Sequence, residues 1–211
     1  GPGTPVALFN GRDGEWLAVV ETVTKKAARL AVRDRLRPQD GVPDLWLLFA
    51  PLRKERSQWV AEKATELGVS ALWPVFCERS VVDRVRDDKL AATCIEAAEQ
   101  CERLTVPEVK PATTLPRALD GWPAERRLIV AAERDDAPTL PDLLAERPAG
   151  PAAILVGPEG GFGKSELDAL RNLSFVEPCR LGPRILRADT AALAALTCWQ
   201  ALAGDWRAAD S

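Results

Sequence analysis

The chain has 211 residues, a formal net charge of −3, and 46% hydrophobic and 28% charged residues, proportions typical of a globular protein rather than a disordered one. It contains no histidine, which excludes a Ser-His-Asp triad and a histidine-ligated metal, and we expect no metal. No apolar run reaches membrane length, no basic-then-apolar leader pattern opens the given sequence, and the five scattered cysteines form no Cys-x-x-Cys pair. We therefore expect a cytoplasmic protein with reduced thiols and no membrane association.

The first 37 residues predict β-structure. Apolar runs at 6–9, 16–20 and 28–32 indicate strands, the first two joined by a turn with Asn-Gly and Asp-Gly signals. Three strands are too few for an independent core. A dense basic stretch offers phosphate contacts, with a solvated strand face as the alternative; its candidate RNA-binding residues are Lys25, Lys26, Arg29 and Arg33.

A polar linker at 37–43 precedes a second predicted domain, residues 44–211. Its buried-type strands alternate with helices, which predicts an α/β domain with a mostly parallel sheet. Strands are expected at 45–50, 72–76, 127–132, 153–156 and 175–181, and helices at 57–67, 89–104, 140–145, after 165, and at 191–203. Pro74 and Pro178 interrupt two strands; Pro74 should confine its strand to an edge or mark a bulge.

Polar residues ahead of the helices predict where they begin. Ser57, Asp88 and Ser165 are expected N-caps, with Glu166 in the positive first turn that follows. Asp189 or Thr190 should begin the last helix.

A second basic cluster follows the strand at 72–76 and consists of Arg79, Arg84 and Arg86. Because the chain is net negative, any affinity for RNA must come from local patches such as this one. These three arginines are therefore further candidates for RNA contacts.

The predicted helix 89–104 carries an apolar stripe that includes Cys94 and Cys101, which we expect in the core. Gln100 and Arg103 lie three residues apart and should face the same way. They are either an exposed helical pair or a pair that contacts a base edge and a phosphate.

The most informative stretch is the turn Gly157-Pro158-Glu159-Gly160-Gly161, between a buried strand and a helix. A strand, a glycine turn and a helix start form a ready anion or nucleotide site. One interpretation is a P-loop, since Gly163-Lys164-Ser165 matches its end, but Pro158 stands where the opening glycine is needed.

A second turn, Leu181-Gly182-Pro183-Arg184-Ile185-Leu186-Arg187, also lies between a strand and a helix. These two turns, with the segments 62–69 and 95–104, resemble the RsmE family of SPOUT-class RNA methyltransferases, which methylate N3 of a uridine in 16S ribosomal RNA. The resemblance implies an α/β domain with a C-terminal trefoil knot. It also implies that residues 1–37 are part of a PUA-like RNA-binding β-barrel.

The resemblance further implies an S-adenosylmethionine site between the two turns. Its expected residues are Leu155, Gly157, Glu159, Gly160, Leu181, Gly182, Arg184, Ile185 and Leu186. Uridine N3 must lose a proton before it attacks; Glu159 and Arg187 are the candidates for that chemistry. Gln100 and Arg103 would orient the base. The family usually has Glu where this chain has Asp189.

The implied partners are 16S ribosomal RNA or the small ribosomal subunit, and a second copy of the chain. The apolar stripe of the last helix, Leu193, Leu196 and Trp199, is either core or, as the resemblance implies, the surface that pairs two subunits. A P-loop-like NTPase and a non-catalytic RNA-binding module remain the alternatives. Binding of S-adenosylmethionine without Mg²⁺ separates the three interpretations.

Overall fold

The computed structural model describes residues 1–132, 137–146 and 150–207. Its strands are β1 (Pro5–Leu8), β2 (Glu15–Val23), β3 (Ala28–Arg37), β4 (Leu45–Phe49), β5 (Ala71–Phe76), β6 (Glu108–Val109), β7 (Thr113–Thr114), β8 (Arg127–Ala131), β9 (Ala152–Val156) and β10 (Val176–Cys179). Its helices are α1 (Lys54–Glu66), α2 (Asp87–Gln100), α3 (Leu115–Leu119), α4 (Leu140–Ala145), α5 (Lys164–Arg171) and α6 (Ala188–Ala203).

The first three strands form an antiparallel sheet in the order β1-β2-β3. In the turn between β1 and β2, the Asn10 side-chain oxygen accepts hydrogen bonds from the backbone N–H groups of Arg12 and Asp13. A local side-chain bond of this kind is the physical basis of the turn signal in the sequence. Arg37 at the end of β3 reaches the second domain, donating to the Glu102 carbonyl oxygen at 3.1 Å.

The remaining strands form one sheet in the order β10-β8-β9-β4-β5-β6, with β7 also on β5. Every pair in it is parallel, which confirms the predicted α/β architecture. Parallel strands bring their carboxyl ends to one edge, where open α/β sheets bind ligands. The trefoil knot stays a prediction.

Both strand prolines occupy places where a missing N–H is tolerated. Pro178 lies in β10, at the edge of the sheet. On its outer side β5 pairs first with β6, at Ala71 and Leu72, and then with β7, at Val75 and Phe76. Pro74 falls between those two short partners, so neither of them needs a backbone N–H from position 74 for its hydrogen bonds.

Two apolar clusters cover the two faces of the sheet. The first joins the sheet to α1, α2, α4 and α6, and the second joins it to α3 and α5. Within the first, Leu196 is 0% exposed and Trp199 is 2% exposed. The prediction that these two residues pair with a second subunit is therefore wrong, because they pack inside a single one.

Several predicted helix starts are also wrong. Helix α1 begins three residues early, with Arg53 as its N-cap, and Ser57 is buried one turn inside. The Ser57 hydroxyl exchanges two 2.9 Å hydrogen bonds with the backbone of Leu52. The serine thus stabilises the chain leading into α1 rather than the first helical N–H groups.

The starts of α2, α5 and α6 shift for similar reasons. Their N-caps are Arg86, Gly163 and Arg187, not Asp88, Ser165 or Asp189. Each predicted cap lies inside the helix, where its side chain has another partner: Asp88 binds Arg86, Ser165 binds Glu78 and Asp189 binds Arg56. Thr190, the alternative start of α6, lies in its first turn.

Helix α2 ends at Gln100, earlier than predicted, and the chain turns at Glu102, whose φ is +56°. Cys94 is buried as expected, but Cys101 is exposed, so the prediction of a core thiol there is wrong. Because Arg103 lies beyond this turn, it does not share a helical face with Gln100. Within the part of the chain that the structure describes, no helix is long and apolar enough to cross a bilayer.

Candidate active site

A cavity of about 570 Å³ opens at the carboxyl edge of the sheet, a size usual for a small-molecule site. The end of β8, the end of β9 with the turn after it, the turn after β10, one side of α5 and the first turn of α6 form its walls. The lining residues are Arg79, Ala131, Ala132, residues 156–162, Leu167, Arg171, residues 180–182, residues 184–188, and Ala191. The two turns singled out in the sequence thus enclose one space.

The cavity suits a cofactor with an aromatic base and polar substituents. Gly182 has φ +113°, and a Cβ built there would have no protein atom within 4 Å, so its backbone faces open space. Leu181, Ile185 and Leu186 add apolar surface, with Ile185 well exposed. Apolar walls with a few backbone and charged groups are the usual composition of such a pocket.

The glycines of the first turn have a different role from the expected one. A Cβ at Gly157 would lie 2.9 Å from the Phe162 ring, and a Cβ at Gly160 would lie 3.3 Å from the Arg79 Cβ. Glycine at these two positions therefore leaves room for the protein's own side chains, Phe162 and Arg79. Gly182 differs from Gly157 and Gly160, because its φ of +113° favours glycine and the space beside its backbone is open to a ligand.

Eight of the nine predicted cofactor residues line the cavity. Leu155 does not: it is fully buried among the side chains on the α3 and α5 face. Its neighbour Val156 lines the cavity instead, because successive side chains of a strand point to opposite faces. No local pattern indicated Ala131, which ends β8 beside β9, or Ala132, which directly follows it.

A group of hydrogen bonds, which we call the clasp, holds the first turn against the loop after β5. The Glu166 carboxylate accepts from the backbone N–H groups of Gly163 at 2.9 Å and Glu78 at 2.7 Å. Ser165 donates to the Glu78 carboxylate at 3.0 Å, and Arg79 donates to the Gly160 carbonyl oxygen at 3.1 Å. A side chain at Gly163 would collide with Glu78.

Cys77 directly follows β5, immediately before the clasp, and does not supply a nucleophile. Burial raises the pKa of its thiol to about 12, with a smaller contribution from the Glu166 carboxylate. A thiol with that pKa remains protonated at neutral pH, and only the thiolate is reactive.

The four predicted catalytic residues separate into two places. Glu159 and Arg187 both line the cavity and are exposed to it. Gln100 and Arg103 do not line it. Arg103 instead donates to the backbone oxygens of Thr65 and Val69, each at 2.5 Å, and to the Thr105 hydroxyl. These bonds favour a role in joining the chain after α2 to the end of α1.

Asp189 lies one residue beyond Ala188, a cavity residue, and is tied into the fold. Its carboxylate accepts from Arg56 at 2.7 Å and from the Thr190 N–H at 2.8 Å. The pair joins the first turn of α6 to α1. This arrangement fixes the position of the second turn, from which Arg187 enters the cavity.

The predicted RNA-binding residues lie in two surface regions. Lys25, Lys26, Arg29 and Arg33 are exposed on the β2–β3 hairpin. In the loop after β5, Arg79 lines the cavity, Arg84 is exposed, and Arg86 forms an ion pair with Asp88 at 2.5 Å. The prediction that these residues contact RNA stays a prediction.

Comparison with known proteins gives a consistent result. An RNA methyltransferase domain model matches residues 40–200. The ribosomal RNA small subunit methyltransferase E of Rickettsia conorii is 31% identical over 90% of this chain and 77% of its own length. The protein of the same name from Mycobacterium tuberculosis is 31% identical over 100% of this chain and 83% of its own length.

Solved structures agree with the sequence relatives. The crystal structure of a ribosomal RNA small subunit methyltransferase E from Neisseria gonorrhoeae, bound to S-adenosyl methionine, is similar with a TM-score of 0.87 and 29% identity. The match covers 98% of this chain and 87% of that one. The similarity therefore includes the β1–β3 sheet as well as the α/β domain.

Proposed function

Because the chain belongs to the ribosomal RNA small subunit methyltransferase E family, we propose that it methylates N3 of a uridine in 16S ribosomal RNA with S-adenosylmethionine. The observation that carries the proposal is the cavity between the two turns, since it joins a nucleoside-sized space to a surface with basic residues. The P-loop alternative does not account for the second turn that lines this cavity.

The residues that would hold the cofactor are those of the two turns. The backbone at Gly182 can approach an adenine edge, and Leu181, Ile185 and Leu186 can contact its faces. Gly157, Glu159, Gly160 and Arg184 complete the proposed site, with Val156 in place of Leu155. When bound, S-adenosylmethionine supplies an electrophilic methyl group on a sulfonium.

The protein's contribution is to position the uridine and to remove its N3 proton. Alignment of two reactants in a site can lower a barrier by roughly 7–11 kcal/mol. Glu159 is the proposed proton acceptor, because it is the carboxylate among the described residues that line the cavity. Arg187, on the opposite turn, would stabilise negative charge on the uridine oxygens.

RNA would be bound by both basic regions. The exposed hairpin residues of 1–37, proposed as a partial PUA-like domain, would contact phosphates at a distance from the reacting base. The loop after β5 would contact them beside the cavity. Since N3 lies on the Watson–Crick edge, the target uridine must be unpaired or flipped out when it reacts.

The chain is also proposed to act as a cytoplasmic homodimer. The support is a set of exposed apolar side chains on and beside the packed helices α1 and α6, namely Trp59, Leu202 and Trp206. In a dimer built on this surface, Gln100 of one subunit could serve the partner's cavity. The cytoplasmic location follows from the proposed ribosomal substrate and the free cysteines.

Titration calorimetry tests the cofactor assignment. We expect S-adenosylmethionine to bind without Mg²⁺, and ATP to give no heat of binding with or without Mg²⁺. ATP binding that requires Mg²⁺ would support the P-loop alternative. Absence of binding by both ligands would leave only the non-catalytic RNA-binding module.

A further inference from the structure

A second cavity, of about 740 Å³, lies along the same carboxyl edge of the sheet. Its walls come from the end of the loop after β4, the first part of α1, the loop after β5 and the start of α2. The side chains that matter for its chemistry are Gln58, Ser80, Val81, Arg84, Arg86 and Lys89. We call this space the loop cavity.

The loop cavity is a direct neighbour of the proposed cofactor cavity. Arg79 lines the cofactor cavity and the next residue, Ser80, lines the loop cavity. The clasp fixes this boundary, because Arg79 bonds to Gly160 and the backbone N–H of Glu78 bonds to Glu166. A strand of RNA that places one base beside the cofactor therefore has an adjacent space for a neighbouring nucleotide.

The side chains of the loop cavity have unused binding capacity. Among the residues that the structure describes, Arg84, Lys89 and Gln58 form no side-chain hydrogen bond or ion pair. Arg86 is paired with Asp88 at 2.5 Å, and the Asp83 carboxylate also lines the space. The cavity thus offers two free cations, one free amide and the 56% exposed apolar side chain of Val81.

This combination matches a nucleotide. Cations contact phosphates, an amide can pair with a base edge, and an apolar side chain can cover a base face. We propose that the loop cavity binds a nucleotide next to the target uridine, with Arg84 and Lys89 on its phosphates and Gln58 on its base. The inference rests on the proposed function and extends it to the flanking sequence of the RNA.

The test uses Arg84→Ala/Lys89→Ala in the full chain, with small ribosomal subunits assembled from unmodified 16S transcript. The control is Arg117→Ala, which removes an exposed arginine of α3 on the opposite face of the sheet. We expect the double variant to bind S-adenosylmethionine like the wild type. Its affinity for the subunits should fall, and the slope of log affinity against log salt concentration should become shallower by about two units. The control variant should keep the affinity and the slope of the wild type.

A labelling experiment decides the site independently of catalysis. Lys89 is acetylated with acetic anhydride in the free protein and in complexes with bare 16S transcript or with whole subunits. Protection of Lys89 by the bare transcript supports the proposal. Protection by whole subunits alone would mean that a ribosomal protein occupies the cavity, and no protection by either would mean that it stays solvated; both results overturn the proposal.

Methyl transfer separates the two proposals. If the wild type transfers methyl groups and Gln58→Ala slows transfer without weakening cofactor binding, both hold. If the double variant binds and methylates subunits like the wild type, the loop cavity is not used although the proposed function stands. If the wild type transfers none, the proposed function fails and there is no target uridine beside the cavity; protection of Lys89 by the transcript then shows only that the loop cavity binds RNA.

Discussion

At the scale of single residues, Gly182 is a position where a substitution should affect both ligand binding and backbone conformation. Replacing it with Ala puts a methyl group into the open space of the cavity and strains a φ of +113°. We expect S-adenosylmethionine to bind at least about tenfold more weakly, a loss of ~1.4 kcal/mol. Titration calorimetry measures the change.

Gly121→Ala is the matched control, because Gly121 also has a positive φ and a Cβ added to it would have no protein atom within 4 Å, but it lies outside the cavity. It should lose less stability than Gly182→Ala, because a φ of +66° lies in the left-handed region that alanine can adopt, and it should keep its cofactor affinity. Equal affinity in Gly182→Ala and Gly121→Ala would show that position 182 does not face the ligand.

Some features of the site could be predicted from single residues of the sequence, and others could not. The glycine turns could be recognised because a tight turn requires particular residue types at consecutive positions of the chain. The choice of Val156 over Leu155 could not, because it depends on which face of β9 the cavity borders. The shared helical face of Gln100 and Arg103 was wrongly predicted for a similar reason: the Arg103 partners Thr65 and Val69 are distant in sequence, and a helical pattern alone does not reveal them.

At the scale of elements, α6 provides a test that separates core from surface. Leu196 is fully buried in the subunit, whereas Leu202 on the same helix is 43% exposed. Leu196→Glu places an unpaired charge in the core and should prevent folding. The milder Leu196→Ala should lower the free energy of unfolding by about 2–5 kcal/mol. Circular dichroism during urea unfolding measures both effects.

Leu202→Glu is expected to fold normally and to sediment as a monomer, in contrast to a dimeric wild type, because it charges the proposed subunit surface. A folded Leu196→Glu protein would contradict the core assignment. A wild type that stays monomeric at high concentration would refute the proposed homodimer, whatever the variants do.

The β2–β3 hairpin provides a second test at this scale. Replacing Lys25, Lys26 and Arg29 with Ala should reduce the salt dependence of RNA binding by about 2–3 units of slope. Filter binding at several salt concentrations measures it. Cofactor affinity should not change, because these residues lie outside the cavity. An unchanged slope would mean that the hairpin is only a solvated strand face.

The elements themselves could be predicted where their pattern is strong. The strands β4, β8 and β9 are nearly continuous apolar runs, and their positions agree with the structure to within a residue or two. The short elements β6, β7 and α3 were not predicted, because two to five residues show too little hydrophobic periodicity. Helix starts were displaced because Ser57, Asp88 and Ser165 have tertiary or neighbouring partners that compete with capping.

At the scale of the whole molecule, the sheet brings the sites together. The end of β8 and the turns after β9 and β10 form the cofactor cavity, and the loops after β4 and β5 form the loop cavity on the same edge. The alternation of strands and helices predicted a parallel sheet and hence a shared edge. It did not predict the clasp, which connects residues about 88 positions apart.

Methyl transfer to N3 of one uridine in 16S ribosomal RNA is the central proposal for the whole molecule. The most direct measurement incubates the protein with S-adenosylmethionine and small ribosomal subunits of unmodified RNA, and then maps the product by reverse transcription. Because N3 lies on the Watson–Crick edge, its methylation blocks base pairing. We predict one new stop at a uridine, dependent on the cofactor and absent with Glu159→Gln. Methyl incorporation without a stop, or no incorporation by a protein that binds both the cofactor and the subunits, would contradict the proposal.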